Sequence, residues 1–177
     1  MGLLDDVLDY SKIEAGKLHF EALPFDVQQA VQRVVDVFAA RIDQKGLEFV
    51  VDLPPELPPR LIGDPLRLSQ VLNNLVGNAV KFTGTGHIHL VVRAMPASAP
   101  GYCALRFSVH DTGIGIDPAH RAALFEAFTQ ADGSITRRFG GSGLGLSISL
   151  GLARALGGQL TLNGAPGVGT TARVALP

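Results

Sequence analysis

The sequence predicts an α/β (α+β) sandwich, with helices packed on one face of a mixed, mainly antiparallel sheet of about five strands. Three observations carry that expectation. Segments with helical three-and-four spacing alternate with short β-rich runs, in the order helix, strand, helix, strand, helix, hairpin, helix, hairpin. Hydrophobic residues make up 46% of the 177, enough for a core in a chain of ordinary domain size. Glycine, at 21 residues, exceeds the roughly 7% of average usage and has no collagen-like period, so it marks loops.

The elements follow in order. Residues 1–18 read as a helix, because Leu4, Leu8, Ser11, Ala15 and Leu18 share a face that Leu3, Val7 and Tyr10 widen. No N-cap precedes it, so it reads as the end of a longer helix. Pro24 breaks an extended stretch and Asp26 caps the next helix, where Val27, Ala30, Val31, Val34, Phe38 and Ile42 recur at three and four. Lys45-Gly46 ends it with a cation and a C-terminal glycine. Residues 47–53 are β-rich, and PPELPP makes a stiff connection.

Asp64-Pro65 opens a helix that runs to about Phe82. The strands HIHLVVRAM and YCALRFSVHD form a hairpin, and Asp117-Pro118 caps a short helix ending near Phe125. Residues 127–142 lack periodicity and read as a long loop, of a length that in compact domains is either functional or disordered. Leu144 to Leu156 is helical again, before two final strands around a Pro-Gly turn.

Composition removes several function classes. Lys plus Arg (15) balance Asp plus Glu (16) at a net charge of −1, which gives no basic footprint for nucleic acid. Cys103 alone excludes a disulfide framework and a cysteine zinc site, and points to a reducing, cytoplasmic setting. No apolar run approaches the roughly 20 residues of a membrane span, and Met1-Gly2-Leu3 leads into acids rather than a signal sequence. His87 and His89 alternate on one strand face, but with no third ligand they read as exposed strand residues.

Three segments carry chemistry. Asn74, Asn78 and Lys81 stack at i, i+4, i+7 on one helix face. That face is either simply solvated or a polar stripe for a hydrated divalent cation and an anion, since amide oxygens suit magnesium and lysine suits phosphate. Asp111-Thr112-Gly113-Ile114-Gly115-Ile116 follows a strand, and its glycines allow close backbone approach. Taken alone it is an ordinary turn. Gly140-Gly141-Ser142-Gly143-Leu144-Gly145 opens directly into a helix and is either a hinge or an anion site built from unpaired amides. No GxxxxGK[ST] string occurs, and the first Gly-x-Gly lacks the third glycine of a dinucleotide fingerprint.

In order, NLVGNAVKFT (74–83), DTGIGI (111–116), LFEAF (124–128), GGSGLGLSIS (140–149) and GVGT (167–170) closely resemble the sensor histidine kinases. The resemblance is to their catalytic ATP-binding domain, a Bergerat-type fold shared with gyrase, heat-shock chaperones and mismatch-repair proteins. It implies a catalytic domain over 23–177 with a lid at about 117–142. Residues 1–22, with DYSKIEAGKL, would be the truncated end of a dimerisation helix of hybrid-type kinases.

The resemblance makes Asn78 the magnesium residue, with Asn74 the first asparagine of the box and Lys81 near the phosphates. Asp111 would accept from the exocyclic amine of adenine, with Gly113, Gly115 and Ile116 shaping that pocket. Phe125 and Phe128 would anchor the lid. Gly141, Gly143, Leu144 and Gly145 would hold the phosphates, Thr170 would lie near the adenine edge, and Arg137, with Arg138, would reach the terminal phosphate.

The implied activity is donation of the γ-phosphoryl group of ATP–Mg²⁺ to a histidine on a dimerisation domain, with a response-regulator receiver downstream. None of the five histidines has the phosphoacceptor context of the family. The rivals are a hydrolase of the same superfamily, which needs a general base where Asn74 stands, and a kinase-like module that binds without transfer. Leu162-Asn163-Gly164 and Ala172 depart from the usual serine and aromatic under the adenine pocket.

Overall fold

The amphipathic patterns become four α-helices among the described residues. A computed structural model describes residues 3–97, 99–129 and 142–177. Helix α1 spans Leu3–Glu14, α2 Val27–Lys45, α3 Pro65–Phe82 and α4 Gly145–Ala155. Asp26 and Asp64 cap α2 and α3 by accepting the Gln29 and Arg67 amides at 3.1 and 2.9 Å. Pro65 supplies the first turn of α3, and Gly46 at φ 62° ends α2 in the left-handed region.

Strand β1 (Leu23–Phe25) pairs with β3 (Leu61–Gly63) in a small antiparallel ribbon. The main sheet comprises β2 (Glu48–Asp52), β4 (His87–Met95), β5 (Ala104–Asp111), β6 (Gln159–Ala165) and β7 (Gly169–Leu176). Its order is β2-β4-β5-β7-β6, and only the β2–β4 pairing is parallel. That matches the predicted mixed, mainly antiparallel five-stranded sheet.

Alternation along the strands sends one face inward. Ile88, Leu90, Val92, Leu105, Phe107, Val109, Leu160, Leu162 and Val174 are buried against Val31, Val34 and Phe38 of α2, Val71, Leu72, Leu75 and Val76 of α3, and Ile148 and Leu152 of α4. Each fully buried aliphatic side chain contributes about 1.5–3 kcal/mol. Leu72, fully buried, is the kind of position where truncation to alanine costs about 2–5 kcal/mol. His89, His110, Thr171 and Arg173 lie on the opposite, half-exposed face.

Three local expectations need correction. The first helix stops at Glu14 rather than Leu18, because Gly16 takes φ 62° and the Gly16 and Lys17 amides close a terminal turn on Ile13 and Lys12. The helix expected after Asp117-Pro118 is two short 3₁₀ turns, Pro118–His120 and Ala123–Phe125. The β1–β3 ribbon is an addition: β1 falls in the extended stretch at Pro24, and β3 lies between PPELPP and Asp64, where no element was expected.

Helix α1 packs on the rest of the domain. Gly151 of α4 leaves room for Ile13, which a Cβ at Gly151 would meet at 2.5 Å. Asp9 is almost buried and accepts from Gln70 Nε2 at 2.7 Å and Arg67 Nη1 at 3.4 Å, so α1 is tied to the first turns of α3.

Candidate functional site

Three pieces of chain meet along one face of α3: the turn after β5, the first turn of α4 and, through Asp111, the start of β7. Three close approaches need glycine. A Cβ on Gly113 would fall 2.6 Å from Phe82 O, at the C-terminal end of α3. A Cβ on Gly145 would fall 2.2 Å from Asn74 Oδ1, two turns earlier on the same helix. Gly115, at φ 76°, has no room against Ala165 O of the β6–β7 hairpin. Gly113 and Gly115 thus make room first for this protein's own backbone, which holds the turn in place.

Asp111 ends β5, opposite Thr170 of β7. Its Oδ1 accepts the Gly113 amide at 2.9 Å and the Thr170 amide at 3.3 Å. Its Oδ2 has no partner among the described residues, so one oxygen is clamped and the other is available to a ligand. Burial pushes the carboxyl above its ordinary value, and the two amides oppose that rise. The turn is registered by Ile114 N donating to Phe82 O at 3.3 Å and Gly167 N donating to Ile114 O at 2.8 Å. Ile116 is partly buried against the core.

On α3, Asn74 Nδ2 donates to Ser149 Oγ of α4 at 2.8 Å, which fixes the amide plane against Gly145. Asn78, one turn on, is half-buried and has no hydrogen-bonding partner among the described residues. Lys81 completes the face. Its ammonium lies 4.8 Å from the Phe82 ring centroid, and burial lowers its pKa.

Leu144 begins α4 without a side-chain cap. The Gly145, Leu146 and Ser147 amides have no partner among the described residues and carry the positive end of the helix dipole. Leu144 itself is fully buried, and Gly143, at φ 71°, accepts the Phe128 amide at 3.1 Å. Phe125 packs against the core, whereas Phe128 is 64% exposed and meets Tyr10 of α1 edge-on at 6.5 Å. Arg137, Arg138 and Gly141 lie outside the described residues, as does the stretch 130–141 of the expected lid.

The structure therefore brings Asn74 to Gly145, and Asp111 to Thr170 and Gly113, at the two ends of one stretch of α3. From Asn74 to Phe82 that stretch rises about 12 Å. Sequence reading missed Ser149, which is 1% exposed; the available signal was a serine on the inward face of an otherwise apolar helix. It also missed Lys45 as a neighbour of the site. A separate cleft of about 350 Å³ lies between α1, the 125–127 turn and α4, and Phe125, expected to anchor the lid, is among the residues that line it.

Comparison with known proteins identifies the family. The family described as histidine kinase-, DNA gyrase B- and HSP90-like ATPase matches residues 63–177. The signal transduction histidine-protein kinase BarA of Escherichia coli is 43% identical over 171 residues, covering 97% of this chain and 18% of BarA. The sensor histidine kinase GacS of Pseudomonas protegens is 44% identical over 171 residues, covering 96% of this chain and 18% of GacS. The chain thus spans about a fifth of the length of these relatives. Among solved structures, full-length ShkA in complex with AMPPNP superposes with a TM-score of 0.84 at 35% identity, over 99% of this chain and 35% of that one.

Proposed function

The chain belongs to the histidine kinase-, DNA gyrase B- and HSP90-like ATPase family, and from that premise we propose that it binds ATP–Mg²⁺ and presents the γ-phosphoryl group to a histidine on a separate dimerisation domain. Residues 1–22 would be the end of that domain's second helix and 23–177 the catalytic domain. A response-regulator receiver would take the phosphoryl group onward. The single observation that carries the reading is the split carboxylate of Asp111, with one oxygen held by the Gly113 and Thr170 amides and the other open.

Each end of the site has a task. Asp111 Oδ2 accepts from the exocyclic amine of adenine, beside Thr170 and under the turn that Gly113, Gly115 and Ile116 form. The triphosphate runs along α3 toward α4, where the amides after Gly143 and Leu144 meet the phosphates and Lys81 offsets their charge. Arg137 would neutralise charge on the transferring group. Most of the barrier reduction then comes from positioning and electrostatics, as in other phosphoryl transfers.

The residues fit magnesium. Asn78 offers a neutral, hard oxygen, and the described residues hold no cluster of three or more His, Cys, Asp or Glu that would form an all-protein cage. A cation bound mostly by phosphate and water, with one protein ligand, is how magnesium is commonly held. Its chemistry there is to neutralise phosphate charge.

Asn74 supports transfer over hydrolysis. The carboxamide cannot act as a general base at neutral pH, and its nitrogen is already engaged by Ser149. The AMPPNP complex of ShkA, with its ATP analogue, supports the nucleotide class. The test is a titration of the chain with ATP and magnesium by calorimetry. Saturable binding below millimolar nucleotide is expected, and no binding at millimolar nucleotide would overturn the reading.

A further inference from the structure

Helix α3 must leave four carbonyls without intrahelical partners at its C-terminal end. Ala79 O accepts the Thr83 amide at 3.0 Å, and Phe82 O accepts the Ile114 amide at 3.3 Å. The two between them are taken by a side chain from another helix. Lys45 Nζ, at the end of α2, donates to Val80 O at 2.5 Å and Lys81 O at 3.2 Å, and also to Thr83 O just beyond the helix at 3.0 Å. Every orphan carbonyl of α3 is thereby accounted for.

This arrangement is more than the cation-then-glycine ending that the sequence implies for α2. Gly46 in the left-handed region turns the chain away directly after Lys45, while the lysine spends all three of its donors on the neighbouring helix. A cation at this end also complements the dipole of α3. The turn it caps carries Lys81 and supplies Phe82 O. That oxygen is the acceptor of the Ile114 amide and lies where a Cβ on Gly113 would come within 2.6 Å.

We propose that Lys45 is a positioning residue for the nucleotide site: by fixing the last turn of α3 it sets both the Lys81 ammonium and the turn that follows Asp111. The proposal rests on the nucleotide reading above. Lys45 contacts no reacting group; it acts through the α3 carbonyls. Because the lysine is solvent-exposed, part of the lost bonding would be replaced by water, and the expected effect is moderate.

The test compares the 177-residue chain with Lys45→Met, Lys45→Gln and Lys45→Arg, and with Arg41→Met as a matched loss of an exposed cation from α2. Nucleotide affinity is read by displacement of a fluorescent ATP analogue, and local opening by amide hydrogen exchange at Ile114. At a temperature where circular dichroism shows each variant folded, Lys45→Met should bind about three- to tenfold more weakly and exchange Ile114 faster. Lys45→Gln should fall between, Lys45→Arg should recover most of the affinity, and Arg41→Met should match the parent.

If Lys45→Met does not fold, the Gln variant carries the test. A folded Met or Gln variant with parental affinity and parental Ile114 exchange overturns the proposal. So does a variant that loses thermal stability with no change in affinity, since that is a merely structural role. Failure of the parent chain to bind nucleotide would instead overturn the function proposed above.

Discussion

Asp111→Asn separates binding from folding, because the two carboxylate oxygens do different work. In the variant, Oδ1 still accepts the Gly113 and Thr170 amides, so the end of β5 and the following turn stay registered. The NH₂ group then sits where Oδ2 was, and a donor faces the adenine amine instead of an acceptor. A hydrogen bond to a charged group is worth about 1.5–3 kcal/mol, which predicts roughly 10- to 150-fold weaker ATP binding.

Stability should move the other way. Burial raises the Asp111 carboxyl above its ordinary value, so the folded state holds that proton more tightly than the unfolded chain does. The stability associated with the protonated form is present in acid and is lost as pH rises through the folded value. At pH 7 the ionised carboxylate is therefore a folding penalty that a neutral amide lacks. The variant should melt at or above the parental Tm at pH 7, and the difference should shrink toward the ordinary carboxylate range. Fluorescent-nucleotide titration and thermal melts at several pH values check both halves. Binding within threefold of the parent, or a clear drop in Tm at pH 7, would refute the reasoning.

Three further perturbations probe separate contacts. Gly145→Ala places a Cβ 2.2 Å from Asn74 Oδ1, so the Asn74 amide must swing out of its hydrogen bond to Ser149 or α4 must shift; about 1–3 kcal/mol of destabilisation, with weaker nucleotide binding, should appear in melts and titration. Arg67→Ala removes one of the two donors to the nearly buried Asp9, and about 1–3 kcal/mol of lost docking should show as faster hydrogen exchange in α1 with α3 unchanged. His110 is held below the ordinary imidazole range by burial and then by Arg173 and His89, so its neutral form supports the fold. Stability should be complete above the ordinary imidazole range and be lost as pH falls through the lowered value. His110→Gln should flatten that acid loss in pH-dependent melts, while Thr171 still accepts or donates a hydrogen bond.

Much of this architecture was legible from spacing. Helices α2 and α3 combine a full apolar stripe with an aspartate cap, and both begin where Asp26 and Asp64 place them. The ribbon of β1 and β3 was not, since three-residue strands such as Leu23–Phe25 and Leu61–Gly63 are too short to show alternation. Leu18 kept the helical register of α1 past its real end, where one glycine in the left-handed region outweighs periodicity.

The site was legible as residue types but not as partners. The glycines read as clearance for a ligand, yet Gly115 and Gly145 clear space for Ala165 O and Asn74, neighbours 50 and 71 positions away in the chain. Lys45 read as the local end of α2 because nothing in its own segment reveals that its ammonium reaches three carbonyls near the end of α3. Long-range pairs of this kind depend on the packing of α2 against α3, which a one-dimensional pattern does not contain.

The central claim is that this chain donates a phosphoryl group and receives none itself. The direct measurement incubates it with γ-labelled ATP and magnesium, alone and with a separately supplied histidine-bearing dimerisation domain from a similar hybrid sensor kinase. The account predicts acid-labile, base-stable label on the added domain only, and at sub-saturating nucleotide much less of it when Asp111→Asn replaces the parent. Stable label on this chain alone, or steady release of inorganic phosphate without transfer, would contradict it.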